Sequence, residues 1–222
     1  HYFIERLFDL HDKVLEDAVF LTGGMQIYVE TQFLGYSQSI VPFVDTVFLG
    51  LGLDILFGGL YLPKDTVKWL GRQTLHSRLL PLSNDIATDY LNKVSYRLKT
   101  SDPYAVIKTG HRDALSQYLR NSVEEIVTRG KTLGADSYKL WEYLHVHNFS
   151  RHYSFPMMAS LRTYVDSQSP ALENRLFDLS FEMTAKQKLN GNIYQQAISQ
   201  LNPAVMKVRN ANTNIRAGYS LR

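Results

Sequence analysis

The sequence predicts a predominantly helical α/β protein, and three observations support this class. An apolar, β-branched run at residues 44–49 ends in a glycine-rich turn, as expected of a buried strand at the centre of a parallel sheet. From Lys64 onward, apolar residues recur about every 3.6 positions, which is typical of amphipathic helices. The chain of 222 residues is 45% hydrophobic and 20% charged, so it can bury a core. We therefore expect strand content well below the roughly 20–25% of an average domain.

The charge pattern and the lack of cysteine exclude several function classes. The chain carries 24 Lys and Arg against 21 Asp and Glu, a net charge of +3, and the basic residues are scattered. Because a nucleic-acid backbone requires a concentrated basic surface, we expect no nucleic-acid partner. A chain with no cysteine has no disulfide, thiolate metal site or cysteine nucleophile, and this fits a cytoplasmic protein.

The segment before Lys64 has the pattern of half an α/β unit. Residues 25–40 predict a helix that packs against the strand at 44–49. Asp54 is then expected to cap a short helix at 55–57, and the glycine pair that follows would end it.

Residues 41–62 are apolar and long enough to span a bilayer. They contain Asp45 and Asp54, and each carboxylate near a bilayer centre costs roughly 2.5–3.5 kcal/mol. Four glycines weaken a helix there further. The segment is therefore predicted to be a strand and turn rather than a membrane span.

The rest of the chain is predicted to be helical. Apolar stripes indicate helices that begin near Ile86 and Ala114, with Ser83 and Asn84 as candidate caps of the first. Further helices are predicted at residues 136–149, 155–164, 172–183 and 193–201. The tail at 209–222 is polar and has no clear period.

The glycine-rich turn is the strongest chemical signal. At the end of a buried strand, the backbone N–H groups of Gly50, Leu51 and Gly52 can approach an anion, and Asp54 can hold a magnesium ion that bridges phosphates. The alternative is that the glycines only permit a tight turn and Asp54 only caps a helix. His145, His147 and His152 are weaker candidates for a metal site, because helical spacing places His147 nearly opposite the other two.

Two segments of the sequence resemble the asparagine-synthetase family of amide ligases. The first resembles the signature Ser-Gly-Glu-Gly-Ser-Asp-Glu-apolar-Phe-Gly-Gly-Tyr, with Gly50, Gly52, Asp54, Phe57, Gly58 and Gly59 in register. The second, residues 157–174, follows the family pattern of a small-residue helix before Val-Glu-x-Arg-x-Pro-Phe-Leu-Asp. Residues 176–197 resemble the closing helices, so the likeness covers most of the chain.

This resemblance implies a fold and a reaction. The fold would be an adenine-nucleotide-hydrolase-like (HUP) α/β core with a large helical lobe. Residues 1–62 would be the remainder of the core, 63–208 the lobe and 209–222 a tail. ATP would adenylate a carboxylate, and an amine, or ammonia from a glutaminase domain, would displace AMP. Gly50, Leu51, Gly52 and Asp54 would contact ATP, with Asp54 as the magnesium ligand.

The departures from the family concern the catalytic positions. Residues 22–24 imitate the family's first nucleotide loop, but Gln26 and Ile27 replace its Asp and Ser. Leu51 stands where the family has a Glu or Tyr, and Gln168 replaces an Arg. The late catalytic Lys is missing from residues 191–196. No catalytic residue can therefore be assigned.

Two functions are compatible with this sequence. The first is part of an ATP-dependent amide-forming ligase, inactive alone, whose partner is a missing amino-terminal segment or another copy of itself. The chain begins with His1 in the middle of an amphipathic stretch, which predicts such a missing segment. The alternative is a non-catalytic relative that serves as a scaffold or interaction module.

Overall fold

The computed structural model describes residues 8–24, 31–94, 107–148 and 155–209, together with Arg216. Within these ranges helices predominate, and the strands are only three to eight residues long. The mostly helical α/β class is confirmed.

The chain divides into two compact units. The first contains His1–Gly52 and Leu144–Phe177, and the second contains Leu53–Tyr143 and Asp178–Arg222. The division expected between residues 62 and 63 falls inside the second unit. The first unit's amino-terminal segment ends at Gly52, within the glycine-rich run, and the division into a core and a helical lobe stays a prediction.

The first unit packs three helices beside a small sheet. Its helices are α1 (Phe8–Leu21), α2 (Gln32–Ile40) and α7 (Phe155–Arg162). Val14 and Ala18 of α1 are buried together with Leu34 of α2. The predicted helix at 25–40 is confirmed over α2, and its first residues, 25–30, lie outside the described ranges. The predicted helix at 155–164 is confirmed as α7.

The sheet of the first unit pairs two strands that are distant in sequence. β1 (Thr46–Phe48) lies parallel to β4 (Asp166–Gln168). A parallel pair needs a long crossover connection, which is characteristic of α/β architecture. The strand predicted at 44–49 is confirmed, but its predicted burial is wrong, since Val44 is 37% and Phe48 74% exposed. Among the described residues β4 is the only strand beside β1, so β1 is not central.

The second unit begins with the short helix α3 (Leu53–Leu56), and a β-hairpin follows it. β2 (Lys64–Trp69) pairs antiparallel with β3 (Arg72–Leu79). Between them Leu70 and Gly71 have φ of 50° and 75°, the backbone that a two-residue hairpin turn requires. The prediction of helix from Lys64 onward is therefore wrong over this hairpin.

The remaining helices of the described chain lie in the regions where helices were predicted, except for a short helix at Ala185–Lys188 that was not predicted. Their bounds are α4 (Ile86–Val94), α5 (Arg112–Thr132), α6 (Ser137–His145), α8 (Asn174–Glu182), α9 (Ala185–Lys188) and α10 (Asn192–Leu201). Short 3₁₀ turns occur at Thr109–His111, Pro170–Leu172, Leu189–Gly191 and Val205–Lys207.

Helix α4 is capped by an aspartate that was not among the predicted caps. The Asp85 carboxylate accepts the backbone N–H of Thr88 at 3.0 Å and a hydrogen bond from Arg120 at 2.9 Å. These bonds, led by the one from Thr88, lower the pKa of Asp85 to about 2. Asp85 therefore caps α4, whereas Ser83 supports the cap by accepting the N–H of Asp85 at 3.2 Å.

No helix in the described part of the chain is both long and apolar enough to cross a membrane. Residues 41–62 form β1, a turn and α3 rather than one continuous helix.

Gly130 is required for the close approach of α5 and α6. A Cβ at this position would lie 2.6 Å from Leu140 Cδ2 and 3.1 Å from Tyr143 Cδ1. Gly130→Ala is expected to lower the free energy of unfolding by roughly 1–3 kcal/mol, because the buried Leu140 side chain and the Tyr143 ring must shift to make room. Urea denaturation measures this loss.

Gly110→Ala is the matched control, since a Cβ there meets nothing within 4 Å. An equal effect of the two substitutions would show that overpacking is not the cause.

Candidate functional site

The predicted site residues fall on both sides of the unit boundary. The first unit's amino-terminal segment ends with Gly50, Leu51 and Gly52. Asp54 lies in α3 of the second unit.

The glycine turn follows β1 directly and is fixed by the segment after β4. The Leu49 N–H donates to Gln168 O at 2.8 Å, and Ser169 Oγ donates to Leu51 O at 2.5 Å. Gly52 has φ of +89°, and a Cβ there would lie 3.3 Å from Ala171 Cβ. The two segments that carry the family resemblance are therefore in contact, although they are more than 100 positions apart.

The backbone donors of this turn have no acceptor within the described residues. None of these residues accepts a hydrogen bond from the N–H of Gly50, Leu51 or Gly52. Consecutive unpaired N–H groups at the carboxyl end of a parallel strand form a concave donor surface for an anion. Gly50 is exposed and a Cβ there would meet no atom within 4 Å, so a ligand can reach Gly50, whereas Leu51 is half-buried and Gly52 is buried.

Asp54 occupies the first turn of α3 rather than its cap. The helix begins one residue earlier, at Leu53, so the prediction that Asp54 caps a helix at 55–57 is wrong in register. Its Oδ1 accepts the N–H of Ile55 at 3.0 Å, and the residue is exposed. Its Oδ2 makes no hydrogen bond within the described chain.

A lone carboxylate limits which metal Asp54 could hold. The described residues contain no group of three or more His, Asp or Glu side chains that could bind a metal ion. Magnesium is commonly held by one or two carboxylates together with substrate phosphates and water. Asp54 therefore fits a magnesium ion that arrives with a phosphate ligand, and does not fit a metal held by protein alone.

Tyr194 of α10 lies against the same segment, and sequence reasoning did not single it out. Its Cε2 atom is 3.2 Å from the position of a Cβ at Gly58. Burial, and secondarily the negative charge of Asp54, raise the pKa of Tyr194 to about 12. The phenol therefore stays protonated at neutral pH, where it can donate a hydrogen bond but cannot act as a general base.

A buried ion pair contacts α3 and the Gly58–Gly59 pair. Lys188 is 2% exposed, and its Nζ donates to Glu142 Oε2 at 2.8 Å and to Ser180 Oγ at 3.0 Å. Ser180 Oγ in turn donates to Leu56 O at 2.9 Å. The Lys188 carbonyl oxygen lies 2.8 Å from the position of a Cβ at Gly59. Lys188 therefore stabilises the position of α3 through Ser180 and packs against Gly59.

The environment of Glu142 shows that the pair is costly to bury. Burial raises the pKa of the Glu142 carboxyl, and the Lys188 ammonium lowers it only in part. Glu142 Oε1 has no hydrogen-bond partner in the described chain. Lys188 therefore cannot replace the family's late lysine without leaving this carboxylate uncompensated, and Lys186 lies exposed on the opposite side of α9.

The histidine candidates gain no support as metal ligands. His145 is buried and His147 is half-buried, but neither belongs to a potential metal-binding group among the described residues. His152 lies outside the described ranges.

No protein-family model, curated protein or solved structure matches this chain.

Lys188→Met is expected to lower the free energy of unfolding by roughly 3–5 kcal/mol, because it leaves Glu142 buried without its partner. Chemical denaturation measures the change. Glu124→Gln is the control, since it breaks the solvent-exposed pair with Arg120 and is expected to change stability little. A Lys188→Met protein as stable as this control would contradict the supporting role.

Proposed function

We propose that this chain is part of an ATP-dependent amide-forming ligase that resembles the asparagine synthetases and does not complete the reaction alone. The observation that carries the proposal is the set of unpaired N–H groups at Gly50–Gly52, at the carboxyl end of a strand paired in parallel with β4. In α/β folds such ends bind nucleotide phosphates. A HUP-type core with a helical lobe is part of this proposal.

The proposed reaction has two steps. A substrate carboxylate attacks the α-phosphorus of ATP, and the bond from that phosphorus to the bridging oxygen breaks with release of pyrophosphate. An amine or ammonia then attacks the acyl carbon, and AMP leaves with the electrons of the acyl–oxygen bond. The turn at Gly50–Gly52 would donate to phosphate oxygens, and Asp54 would hold magnesium, which offsets phosphate charge when bound.

Neither Leu51 in the turn nor the side chains beside α3 and the Gly58–Gly59 pair supply the proton transfers or charge of this reaction. Leu51 has no ionisable group, Tyr194 stays protonated, and Lys188 is paired with Glu142. Each lost polar contact at a transition state raises the barrier by roughly 2.7–4 kcal/mol. Losing two such contacts lowers the rate by several powers of ten, so binding is expected without turnover.

The isolated chain is expected to show no carboxylate-dependent ATP–pyrophosphate exchange. Weak binding of magnesium-ATP, measured by calorimetry, should weaken about tenfold in Asp54→Asn, since a metal ligand is lost. Asp65→Asn removes an exposed acid from β2 of the same unit and should change nothing. Clear ATP–pyrophosphate exchange would contradict the expected inactivity. An unchanged affinity for magnesium-ATP in Asp54→Asn would show that Asp54 is not part of the site.

A non-catalytic interaction module is the second candidate function, and the surface around β1 favours it. Phe43 is 61% exposed and Phe48 is 74% exposed, beside a strand with a single strand neighbour in the described chain. Open edges with apolar neighbours recruit partners. The occupant that we propose is a second copy of this chain, because the same edge is then available on both copies.

Light scattering at tens of micromolar is expected to give the mass of a dimer, and Phe48→Lys should shift it to a monomer. Leu133→Lys, at another exposed apolar residue, is the control and should leave the dimer intact. A stable monomer before substitution would contradict self-association. A second copy of this chain is also compatible with the ligase proposal, in which a glutaminase domain would supply ammonia.

A further inference from the structure

Lys64 combines partial burial with the lack of an acidic partner. Its Nζ donates to Gly59 O at 2.7 Å. No carboxylate in the described chain forms an ion pair with it. Burial lowers the pKa of the Lys64 ammonium, with no opposing contribution from a negative charge. The fold thus holds a partly desolvated lysine that nothing in the described chain neutralises.

The lysine is held in place by the base of the hairpin. Lys64 pairs with Leu79 across the two strands, and the Leu80 N–H donates to Pro63 O at 2.8 Å. The side chain of Asn190 joins both backbone groups of Ser77, accepting at 2.8 Å and donating at 3.0 Å. These contacts fix the backbone from which Lys64 reaches the glycine pair.

The contact with Gly59 leaves capacity for a ligand. An ammonium has three N–H donors, and a single described acceptor uses one of them. The other two donors, on a half-buried side chain, remain available to an acceptor from solvent. An anion would also offset the charge that burial makes costly.

We propose that Lys64 binds a phosphate oxyanion beside the Gly58–Gly59 turn. The identification of this anion as the pyrophosphate part of ATP rests on the proposed function. The presence of an anion site does not, because it follows from the position and charge of Lys64. Such a residue would supply positive charge near the segment of Asp54, in a chain that lacks the family's late lysine.

The simpler reading is that Lys64 only satisfies the carbonyl of Gly59. A bond to a loop carbonyl is a common use of a lysine near the end of a helical segment. That role requires no ligand, so anion binding separates the two readings.

The test uses inorganic pyrophosphate without magnesium, titrated into the full chain by calorimetry. Lys64→Met is expected to weaken binding at least tenfold. Lys68→Met, which removes the same charge from an exposed position on the same strand, should change it less than twofold. Lys64→Arg should retain most of the affinity, and added salt should weaken binding to the unsubstituted chain.

The outcomes separate this inference from the proposed function. Equal binding by the Lys64→Met and Lys68→Met proteins, or no pyrophosphate binding at millimolar concentration, would overturn the inference. Asp54→Asn should not weaken magnesium-free pyrophosphate binding, even where it weakens magnesium-ATP. If Lys64→Met also weakens the binding of ATP, the anion bound at Lys64 is the pyrophosphate part of the nucleotide. If Lys64→Met weakens only the binding of free pyrophosphate, the anion is the released product. Either result supports the site.

Circular dichroism and thermal melting of Lys64→Met establish whether the variant is folded. Should Lys64→Met fail to fold, Lys64→Gln keeps a donor for Gly59 O without the charge. A Lys64→Gln protein that binds pyrophosphate as tightly as the unsubstituted chain would overturn the inference.

Discussion

The buried Lys188–Glu142 pair is the interaction on which the second unit most depends. It joins α6 to the end of α9, and through Ser180 it reaches the carbonyl of Leu56 at the end of α3. A charge taken out of water is tolerated only when its partners stay in place, so these helices cannot shift independently. The main chain at Gly59 packs against Lys188 so closely that a side chain would not fit. The position of α3 is thus set by an ion pair far from it in sequence.

The glycine-rich run owes its shape to a different constraint in each unit. In the first, Gly52 adopts a left-handed conformation next to Ala171, and the turn leaves its N–H groups unpaired. Water can satisfy the N–H of the exposed Gly50, whereas an unpaired backbone donor on a buried residue such as Gly52 costs free energy unless an acceptor occupies it. In the second unit, the lack of a side chain lets Tyr194 pack against Gly58 and the Lys188 carbonyl pack against Gly59. The alternative that the glycines only permit a tight turn explains the backbone conformation of Gly52 but provides no acceptor for the N–H of this buried residue.

Local patterns predicted most of the fold and little of the site. Helices such as α5 follow from their apolar period, and β1 from its β-branched run. The hairpin was missed because β2 alternates charged residues with few apolar ones, and the Leu70–Gly71 turn was its main local signal. The burial of β1 was overestimated because exposure depends on neighbouring strands. Lys64, Tyr194 and Lys188 could not be predicted from the sequence, because the contacts that define their roles come from the tertiary fold and leave no local sequence pattern.

The charge balance around α3 distinguishes ligand binding from catalysis. Lys188 is neutralised by Glu142, so its charge contributes little beyond its own pair. Tyr194 is a neutral donor, and Asp54 adds negative charge that would repel phosphate unless a cation intervenes. Magnesium at Asp54 and the ammonium of Lys64 would each supply positive charge without transferring a proton at the reacting carbon. A segment with these groups can hold a polyphosphate in its ground state, whereas turnover requires groups that respond to charge developing in the transition state.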